Sequence, residues 1–331
     1  MIGAWGHGGG VLAALEQFPD EFEIVGWAKV FPEDNPQGLK ATLKIGANAP
    51  VFENPAGLLK ETRPQVVVVS TRLDQIAPLA IAAAQSGCHL ICEKPLALSH
   101  ADLSALYTAV KKANVQCVAI LGNCAHPALR AARKAVRDGL IGDIVLCNAR
   151  KTYKFGTDRP LWFGRRDCYG GTIPWVGMHA LDFIMSVTGL RFTAVAAMQG
   201  NMSHPQYPDC EDHCALILRL SNGGHATLSL DFLRPPGAPS HGDDRLRVAG
   251  SRGVIEAGLT LNTCVLISED KPPLKLSLPE PENFFADLVR KLRDDPESLA
   301  ETTMSSFHLT RVCLCARDAA DRQQVIPIPV C

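Results

Sequence analysis

The stretch from His89 to Ser99, HLICEKPLALS, ends an apolar run in Glu93-Lys94-Pro95. Proline has no N–H to donate, so it usually marks where the pairing of a buried strand stops. A lysine at such a strand end can act as a general acid/base that takes up or returns a proton. The amine serves in this role when desolvation or a nearby positive charge lowers its pKa from about 10.4 toward roughly 7 to 8. The alternative interpretation of Lys94 is an ordinary surface charge.

The start of the chain, IGAWGHGGGVLAAL, places five glycines between a short apolar segment and a helical pattern. Glycine lets the backbone approach a pyrophosphate, and the following helix N-terminus supplies unpaired N–H groups. Gly3 and Gly8 take the outer places of a GxGxxG pattern, but Trp5 takes the middle one. The segment predicts a phosphate-binding loop, with a flexible turn as the alternative. Only Met1 and Ile2 precede Gly3, so either the first strand is short or the chain continues upstream.

Lys29 stands at the end of the second apolar run, VGWAKVF, where a dinucleotide-binding fold usually has an acid that binds the ribose hydroxyls. A lysine there accepts a 2′-phosphate, so we expect NADP(H) to bind at least as well as NAD(H). A solvated lysine at a strand end is the alternative.

The first part of the chain alternates short apolar runs with helical patterns. The run Val66 to Val69 has no polar alternation, which is typical of a parallel strand covered on both faces. Asn54 with Pro55 and, further on, Ser99 are helix-start signals, and Gly87 is a stop signal. Residues 1–122 are therefore predicted to form an α/β Rossmann domain with a doubly wound parallel sheet.

The sequence pattern changes after residue 122. Residues 123–331 are predicted to form a second, α+β domain with a largely antiparallel open sheet. The segment HCALILRLSNGGHATLSLDF indicates two alternating strands joined by a tight turn, and FHLTRVCLCARDAADRQQ a C-terminal helix. Both faces of the two strands look apolar, through Leu216 or Ile217 and Leu228 or Leu230. Because large apolar patches usually mark interfaces, we expect a homodimer or homotetramer formed through this sheet.

The composition restricts the class of partner. The 331 residues contain 33 Lys and Arg against 34 Asp and Glu, which gives no electrostatic basis for binding nucleic acid or an anionic membrane. No secretory signal or bilayer-spanning run is evident, so a cytoplasmic location is expected. The twelve cysteines include no CxxC pair and are predicted to be buried free thiols rather than metal ligands. Cys210 with Cys214 and Cys313 with Cys315 are weak metal candidates, and we predict no metal site.

Nearly the whole chain resembles the Gfo/Idh/MocA oxidoreductases, named for glucose-fructose oxidoreductase and inositol dehydrogenase. The resemblance is carried by the glycine-rich start, APLAIAAAQSGCHLICEKPLALS, VRDGLIGDIV and GGTIPWVGMHALD. It implies that Lys94 lies beside the nicotinamide and the reacting hydroxyl, that the Lys94–Pro95 bond is cis, and that Glu93 orients the site. The implied cofactor is NAD or NADP, with these binding residues: Gly3, Trp5, Gly6, His7, Gly8, Lys29, Ser70, Thr71, Glu93, Lys94, Pro95 and Asn123.

The family's second motif is a glycine pair followed by Asp-x-Gly-x-His. Here Gly177 and His179 match, Asp182 matches a common acid after the histidine, and Trp175 holds the place of the catalytic-site carboxylate. The resemblance implies that His179 orients the substrate or relays a proton, whereas a lone histidine in an apolar segment is otherwise a core residue. The candidate substrate-binding residues are Lys94, Tyr153, Lys154, Arg159, Trp162, Trp175, His179 and His241, with Asp243 and Asp244 nearby.

The residues and the family resemblance together imply an NAD(P)-dependent dehydrogenase or reductase. It would transfer a hydride between nicotinamide and a secondary alcohol or ketone of a sugar, inositol or related polyol, with Lys94 as general acid/base. One alternative is a transient-redox sugar lyase or glycosidase with bound NAD, which net hydride exchange with free cofactor would exclude. The other is a non-catalytic NADP-binding sensor, which would bind cofactor without turnover.

Overall fold

The structure is a computed structural model that describes residues 1–329. By the density of its internal contacts the chain forms two compact units. The first unit contains Met1–Ile120 and Asn283–Thr310, and the second contains Leu121–Glu282 and the described residues from Arg311 to 329. The predicted domain boundary at residue 122 stays a prediction, and residues 330 and 331 of the predicted second domain lie outside the described residues.

The first unit is built on short parallel strands. These are β1 (Trp27–Ala28), β2 (Val51–Phe52), β3 (Val66–Val69), β4 (His89–Cys92) and β5 (Cys117–Ala119). Its helices up to this point are α1 (Gly8–Leu15), α2 (Pro36–Thr42), α3 (Pro55–Thr62), α4 (Ile76–Gln85) and α5 (His100–Ala113).

Ile2 joins the strands of the first unit into one sheet. It forms parallel bridges to Ala28 of β1 and to Val69 of β3, and so takes the place of a first strand. The order is then β2, β1, Ile2, β3, β4 and β5, all parallel, which is the strand order of a dinucleotide-binding fold. The predicted Rossmann sheet is confirmed.

The predicted helix boundaries of the first unit are confirmed by their capping contacts. Asn54 Oδ1 accepts a hydrogen bond of 2.9 Å from the N–H of Gly57 at the start of α3. Ser99 Oγ accepts one of 3.0 Å from the N–H of Asp102 at the start of α5. Each cap satisfies a backbone donor that the first helical turn leaves unpaired.

The second unit consists of a large sheet with helices. Its helices are α6 (Pro127–Arg137), α7 (Arg166–Tyr169) and α8 (Met178–Thr188), the last directly preceded by a π-helical turn at Ile173–Gly177. Its strands are β6 (Ile144–Thr152), β7 (Phe192–Gly200), β8 (His213–Leu220), β9 (His225–Asp231), β10 (Arg245–Gly250), β11 (Gly253–Gly258), β12 (Thr263–Ser268), β13 (Lys271–Lys275) and β14 (Ile326–Pro327).

Within residues 1–329 these strands form one nine-stranded sheet in the order β13-β12-β11-β10-β6-β9-β8-β7-β14. All neighbours are antiparallel except β6 and β9, so the predicted largely antiparallel sheet is confirmed. The predicted hairpin is β8 with β9. Leu216, Leu228 and Leu230 are buried and Ile217 is 59% exposed, which decides the register that the sequence left open.

Two further helices follow the sheet, α9 (Phe284–Asp294) and α10 (Ala300–Arg322). Leu288 and Leu292 of α9 belong to the first unit's hydrophobic core, together with Leu12 of α1 and the fully buried Trp27. In the first half of α10, Ser306 Oγ accepts a hydrogen bond of 3.1 Å from the N–H of Ala119 in β5. The predicted C-terminal helix is confirmed, and it begins earlier than the sequence pattern indicated.

Candidate active site

The glycine-rich loop packs against the end of β3. Gly3 and Gly6 have φ angles of +78° and +88°, which side chains rarely adopt, and a Cβ on either would collide with neighbouring atoms. Ser70 Oγ accepts a hydrogen bond of 2.9 Å from the N–H of Gly8 and donates one of 2.5 Å to the carbonyl of Trp5. Both the glycine conformation and the serine hydroxyl therefore fix the loop in front of α1.

Glu93 is the buried group that connects this loop to the turn after β4. Its carboxylate accepts a hydrogen bond of 2.5 Å from the N–H of His7, and both its oxygens lie 3.0 Å from His7 Nδ1. It also accepts one of 3.0 Å from the N–H of Lys94. Burial acts to raise the pKa of Glu93, but the hydrogen bonds from His7 and the charges of His7 and Lys94 outweigh it and hold that pKa below its ordinary value.

Lys94 follows directly and is 1% exposed. The Lys94–Pro95 peptide bond is cis, as the family resemblance implies. The N–H of Leu96 donates to Thr310 Oγ1 at 3.3 Å, so the turn is held from α10 as well. The result is a buried lysine on a fixed backbone at the carboxyl end of a central parallel strand, where open α/β sheets bind ligands.

The residues around the glycine loop fit a phosphate-bearing dinucleotide. Thr71 follows β3, is fully buried, and its hydroxyl has no hydrogen-bond partner among the described residues. Gly10 in the first turn of α1 has open space where a side chain would stand. A buried hydroxyl without a partner and a helix N-terminus lined by glycines are both suited to a ligand with anionic oxygens.

Lys29 is less free to bind a phosphate than its position suggested. Its Nζ lies 3.1 and 3.2 Å from the two carboxylate oxygens of Glu53, which follows the end of β2. The Glu53 side chain is 78% exposed, so the pair is in contact with solvent. The lysine charge is thus partly balanced before any cofactor arrives.

In the second unit, His179 stands at the start of α8, one turn after Trp175 in the π-helical turn. Single π-helical turns occur often at functional sites because they re-aim side chains. His179 is buried, and its Nδ1 lies 3.5 Å from Asn123 Nδ2. Trp175 is also buried and meets the ring of Phe163 edge-on, with centroids 6.1 Å apart. The structure therefore brings together the candidates His179 and Asn123, and it packs Trp175 against the ring of Phe163.

The backbone before the π-helical turn is held by Glu211. Its Oε2 accepts a hydrogen bond of 2.8 Å from the N–H of Thr172, and its Oε1 accepts one of 2.6 Å from Arg166. Gly171 beside them has φ +107°, a conformation that requires glycine. The glycine pair of the motif thus positions α8.

Asp182 lies three residues after His179 on α8 and is buried. Its Oδ2 has no hydrogen-bond partner among the described residues. Burial raises the pKa of Asp182 to about 7, although the charge of Arg133 acts to lower it. A buried carboxyl in this environment holds its proton at neutral pH far more readily than an exposed one.

The remaining substrate-side candidates separate into two groups. Tyr153 stacks on His241 with ring centroids 4.9 Å apart, and Trp162 packs against Phe163 at 4.5 Å. In contrast, Lys154 Nζ donates to the carbonyls of Pro236 and Ala238 at 2.7 and 2.6 Å, so its ammonium is used to hold the loop after β9.

Arg159 lies among aromatic rings. Its guanidinium carbon is 4.4, 4.8 and 4.3 Å from the ring centroids of Phe155, Phe163 and Phe232, respectively. Its Nη2 donates to the carbonyl of Phe155 at 2.7 Å. These contacts fix the position of its charge.

One buried group was missed by the sequence analysis. Lys151 is 1% exposed and its Nζ lies 2.5 Å from Asp244 Oδ2. The available signal was strand alternation, because Arg150 and Lys151 in β6 must point to opposite faces of the sheet.

Three observations concern metal sites, cysteines and membrane-spanning helices. Among the described residues, no group of three or more His, Cys, Asp and Glu side chains is arranged to hold a metal ion. Within residues 1–329, eleven cysteines are free, and ten of these are buried. No helix within residues 1–329 combines the length and apolar character that a membrane span requires.

Comparison with known families gives two matches. Residues 1–120 match the model described as an oxidoreductase family with an NAD-binding Rossmann fold. Residues 129–256 match the GFO/IDH/MocA C-terminal domain.

Individual relatives agree with these matches. A solved structure of a Thermotoga maritima protein described as an oxidoreductase is 32% identical with a TM-score of 0.90, and the likeness covers 99% of this chain and 98% of that one. Levoglucosan dehydrogenase of Pseudarthrobacter phenanthrenivorans is 31% identical over 51% of this chain and 44% of its own length. The 2,7-anhydro-N-acetylneuraminate hydratase of Escherichia coli K12 is 29% identical over 45% of this chain and 40% of its own length.

The matched segments thus span less than half the length of these two curated relatives, while the first structure is matched along nearly its whole length. Each family model covers one of the two motifs described above. The first contains the Glu93-Lys94-Pro95 turn, and the second contains the glycine pair before His179. The chain belongs to the Gfo/Idh/MocA oxidoreductases, with an NAD-binding Rossmann domain followed by the family's C-terminal domain.

Proposed function

We propose that this protein is a nicotinamide-dependent dehydrogenase or reductase that interconverts a secondary alcohol and a ketone on a sugar, inositol or related polyol. The observation that carries the proposal is the buried Glu93–Lys94 pair. Glu93 fastens the phosphate-binding loop through His7 and contributes the backbone contact that fixes Lys94. A single buried carboxylate therefore supports both the cofactor loop and the proposed proton-transfer residue.

When bound, nicotinamide would accept a hydride from the carbinol carbon as the alcohol is oxidised and would return it as the ketone is reduced. Lys94 Nζ takes the hydroxyl proton as the alcohol is oxidised and returns it in the reverse reaction. Glu93 keeps its negative charge beside the lysine, because its pKa is held low. His179, whose Nδ1 lies 3.5 Å from Asn123 Nδ2, orients the substrate or relays a proton. The buried position of Lys94 keeps water from competing for the proton.

The proposal is tested with a panel of sugars, inositols and their keto derivatives, using both NAD(H) and NADP(H) and following nicotinamide absorbance. Turnover on at least one member, lowered roughly 100-fold or more in Lys94→Ala, is expected for the loss of a general acid/base. The matched control is Lys60→Ala, a solvated lysine in the last turn of α3. Equal activity of wild type and Lys94→Ala on every active substrate would contradict the assignment.

We also propose that the protein assembles as a homodimer or homotetramer through the open face of the nine-stranded sheet. That face combines the exposed Ile217 with Arg247 and Glu256, whose charged groups are 3.8 Å apart. A face that carries both signs of charge around an apolar residue can pair with its own copy about a two-fold axis. Light scattering should show that the wild-type protein is a multimer and that Ile217→Glu is smaller. A wild-type monomer would contradict the proposal.

A second candidate function is favoured by one comparison. The relative from Escherichia coli is named a hydratase, and hydration has no net redox change. Lys94 would then move protons in a transient oxidation with cofactor that stays bound. Conversion of a sugar without accumulation of reduced or oxidised free cofactor identifies this case.

A further inference from the structure

The first half of α10 carries three hydroxyl side chains on one buried face. They are Thr303, Ser306 and Thr310, whose spacing of three and four residues places them on the same side of the helix. All three are buried, and all three belong to the first unit. Serine and threonine are mostly exposed and are poorly suited to the interior of a helix, so each of these hydroxyls requires a reason.

Two of the three hydroxyls cover the outer edge of the parallel sheet, where β5 is the last strand. Successive residues of a parallel strand bond to opposite sides, and the bonds from β5 to β4 are made by the residues that flank Cys117 and Ala119. The N–H of Cys117 instead donates to Thr303 Oγ1 at 3.2 Å, and that of Ala119 donates to Ser306 Oγ at 3.1 Å. These two hydroxyls satisfy donors that an edge strand leaves unpaired.

The third hydroxyl does not serve the sheet edge. Thr310 Oγ1 accepts a hydrogen bond of 3.3 Å from the N–H of Leu96, the second residue after Lys94. Its own proton is used within the helix, because it donates to the carbonyl of Ser306 at 2.9 Å. Leu96 is fully buried, so its N–H depends on Thr310 for a partner.

The backbone donors of the turn show what this contact does. The N–H of Glu93 donates to the carbonyl of Val69 at 2.7 Å, which continues the sheet. The N–H of Lys94 donates to the carboxylate of Glu93 at 3.0 Å, within the turn itself, and the proline that follows has no N–H. The bond from Leu96 therefore ties the chain after Lys94 to a separate element, α10.

We propose that Thr310 is a positioning residue for Lys94, because its hydroxyl oxygen holds the N–H of Leu96 and thereby sets the place of the Lys94 amine relative to Glu93. The inference rests on the proposed function for the role of Lys94 in proton transfer. A small displacement of an acid/base group slows the chemical step strongly while binding is retained. Thr303 and Ser306, in contrast, stabilise the sheet edge.

The first test is hydrogen–deuterium exchange of residues 93–98 in three variants that differ in acceptor strength. Thr310→Ser keeps the hydroxyl, Thr310→Cys offers a weaker acceptor of similar size, and Thr310→Val offers none. Exchange read by mass spectrometry should be roughly 10-fold faster in Thr310→Val than in wild type, because a buried donor loses its partner. It should be intermediate in Thr310→Cys and unchanged in Thr310→Ser.

The second test separates kcat from KM on a substrate that the activity panel identifies. Thr310→Val should lower kcat by roughly 10-fold and leave the KM values for substrate and cofactor within about 3-fold of wild type. Thr310→Ser should restore kcat to within about 2-fold. A loss of packing alone would not be rescued by the smaller serine.

The matched control is Thr303→Val, the same substitution at the hydroxyl that bonds to β5. It should speed exchange in residues 116–119 but leave kcat and the exchange of residues 93–98 unchanged. If Thr310→Val does not fold, Thr310→Cys compared with Thr310→Ser gives the same test. An inactive wild type in which exchange of residues 93–98 follows the acceptor series would refute the proposed function alone.

Two results would overturn the positioning role of Thr310. One is exchange of residues 93–98 that is the same in wild type and in the folded variants. The other is an equal fall in kcat in Thr303→Val and Thr310→Val, which would show that the hydroxyls act only through the stability of the unit.

Discussion

Glu93→Gln tests the connection between the cofactor loop and the Glu93-Lys94-Pro95 turn. The carboxylate accepts from two N–H groups, those of His7 and Lys94, and both oxygens face the His7 ring. A glutamine keeps one acceptor oxygen, so its amide group must face one of these N–H donors. One buried donor then loses its partner, which costs about 1 to 3 kcal/mol, and the remaining bonds lose their charge assistance. We expect a total loss of about 2 to 4 kcal/mol in the free energy of unfolding at pH 7.

The pH dependence gives a second readout of the same group. The folded-state pKa of Glu93 lies below its ordinary value of 4.5, so the stability it contributes is fully present above about pH 4.5 and is lost as the pH falls through the folded pKa. Urea unfolding of wild type should therefore lose this contribution in acid, and Glu93→Gln should lack that part of the acid dependence.

The control for the stability measurement, and for that measurement alone, is Glu53→Gln, the same substitution at a side chain that is 78% exposed. It should change the unfolding free energy by less than about 0.5 kcal/mol. Cofactor affinity should fall in Glu93→Gln because the loop is loosened at His7. The reasoning would be refuted if Glu93→Gln had wild-type stability and wild-type acid dependence.

Three further predictions follow from named contacts. Trp175→Ala should lower the unfolding free energy by about 3 to 5 kcal/mol, because the indole is buried against Phe163, and a stable variant with only a raised KM would show a substrate-contacting role instead. Glu53→Gln should shift cofactor preference toward NADP(H) by several-fold in comparative titration, since it releases the Lys29 charge, and an unchanged preference would exclude Lys29 from the 2′-phosphate site. Asp182→Asn should raise the unfolding free energy at pH 8 by on the order of 4 kcal/mol, because burial raises the pKa of Asp182 from 3.8 to about 7 and folding therefore opposes ionisation above pH 3.8. The gain should vanish below about pH 4, and equal effects at both pH values would contradict the raised pKa.

The sequence predicted the parts of the fold that local patterns dictate. The unbroken run Val66 to Val69 and the caps at Asn54 and Ser99 depend on neighbouring residues, and each was found as predicted. The parallel pairing of β6 with β9 joins segments far apart in sequence, so no local pattern indicates it. The same holds for α9, whose apolar face packs in the core of the first unit rather than beside its sequence neighbours.

The candidate site shows the same division between local and non-local information. The resemblance supplied Glu93 and Lys94, but not that the Glu93 carboxylate binds His7, because this contact closes a long loop. The sequence predicted that Lys29 could bind a phosphate, but in the structure its ammonium is paired with Glu53, which follows the end of β2. Lys151 was overlooked since its burial depends on α8, which contributes Phe183. The assigned roles of all these residues stay predictions until variants are measured.

The most direct test of the central claim follows a deuterium label on the carbinol carbon of whichever substrate the activity screen identifies. Mass spectrometry of the cofactor after turnover should find one deuterium on the nicotinamide for each alcohol oxidised. The rate of labelling should be roughly 100-fold or more slower in Lys94→Ala. A product that keeps its deuterium while the free cofactor stays unchanged, or a labelling rate that Lys94→Ala does not alter, would contradict hydride exchange assisted by Lys94.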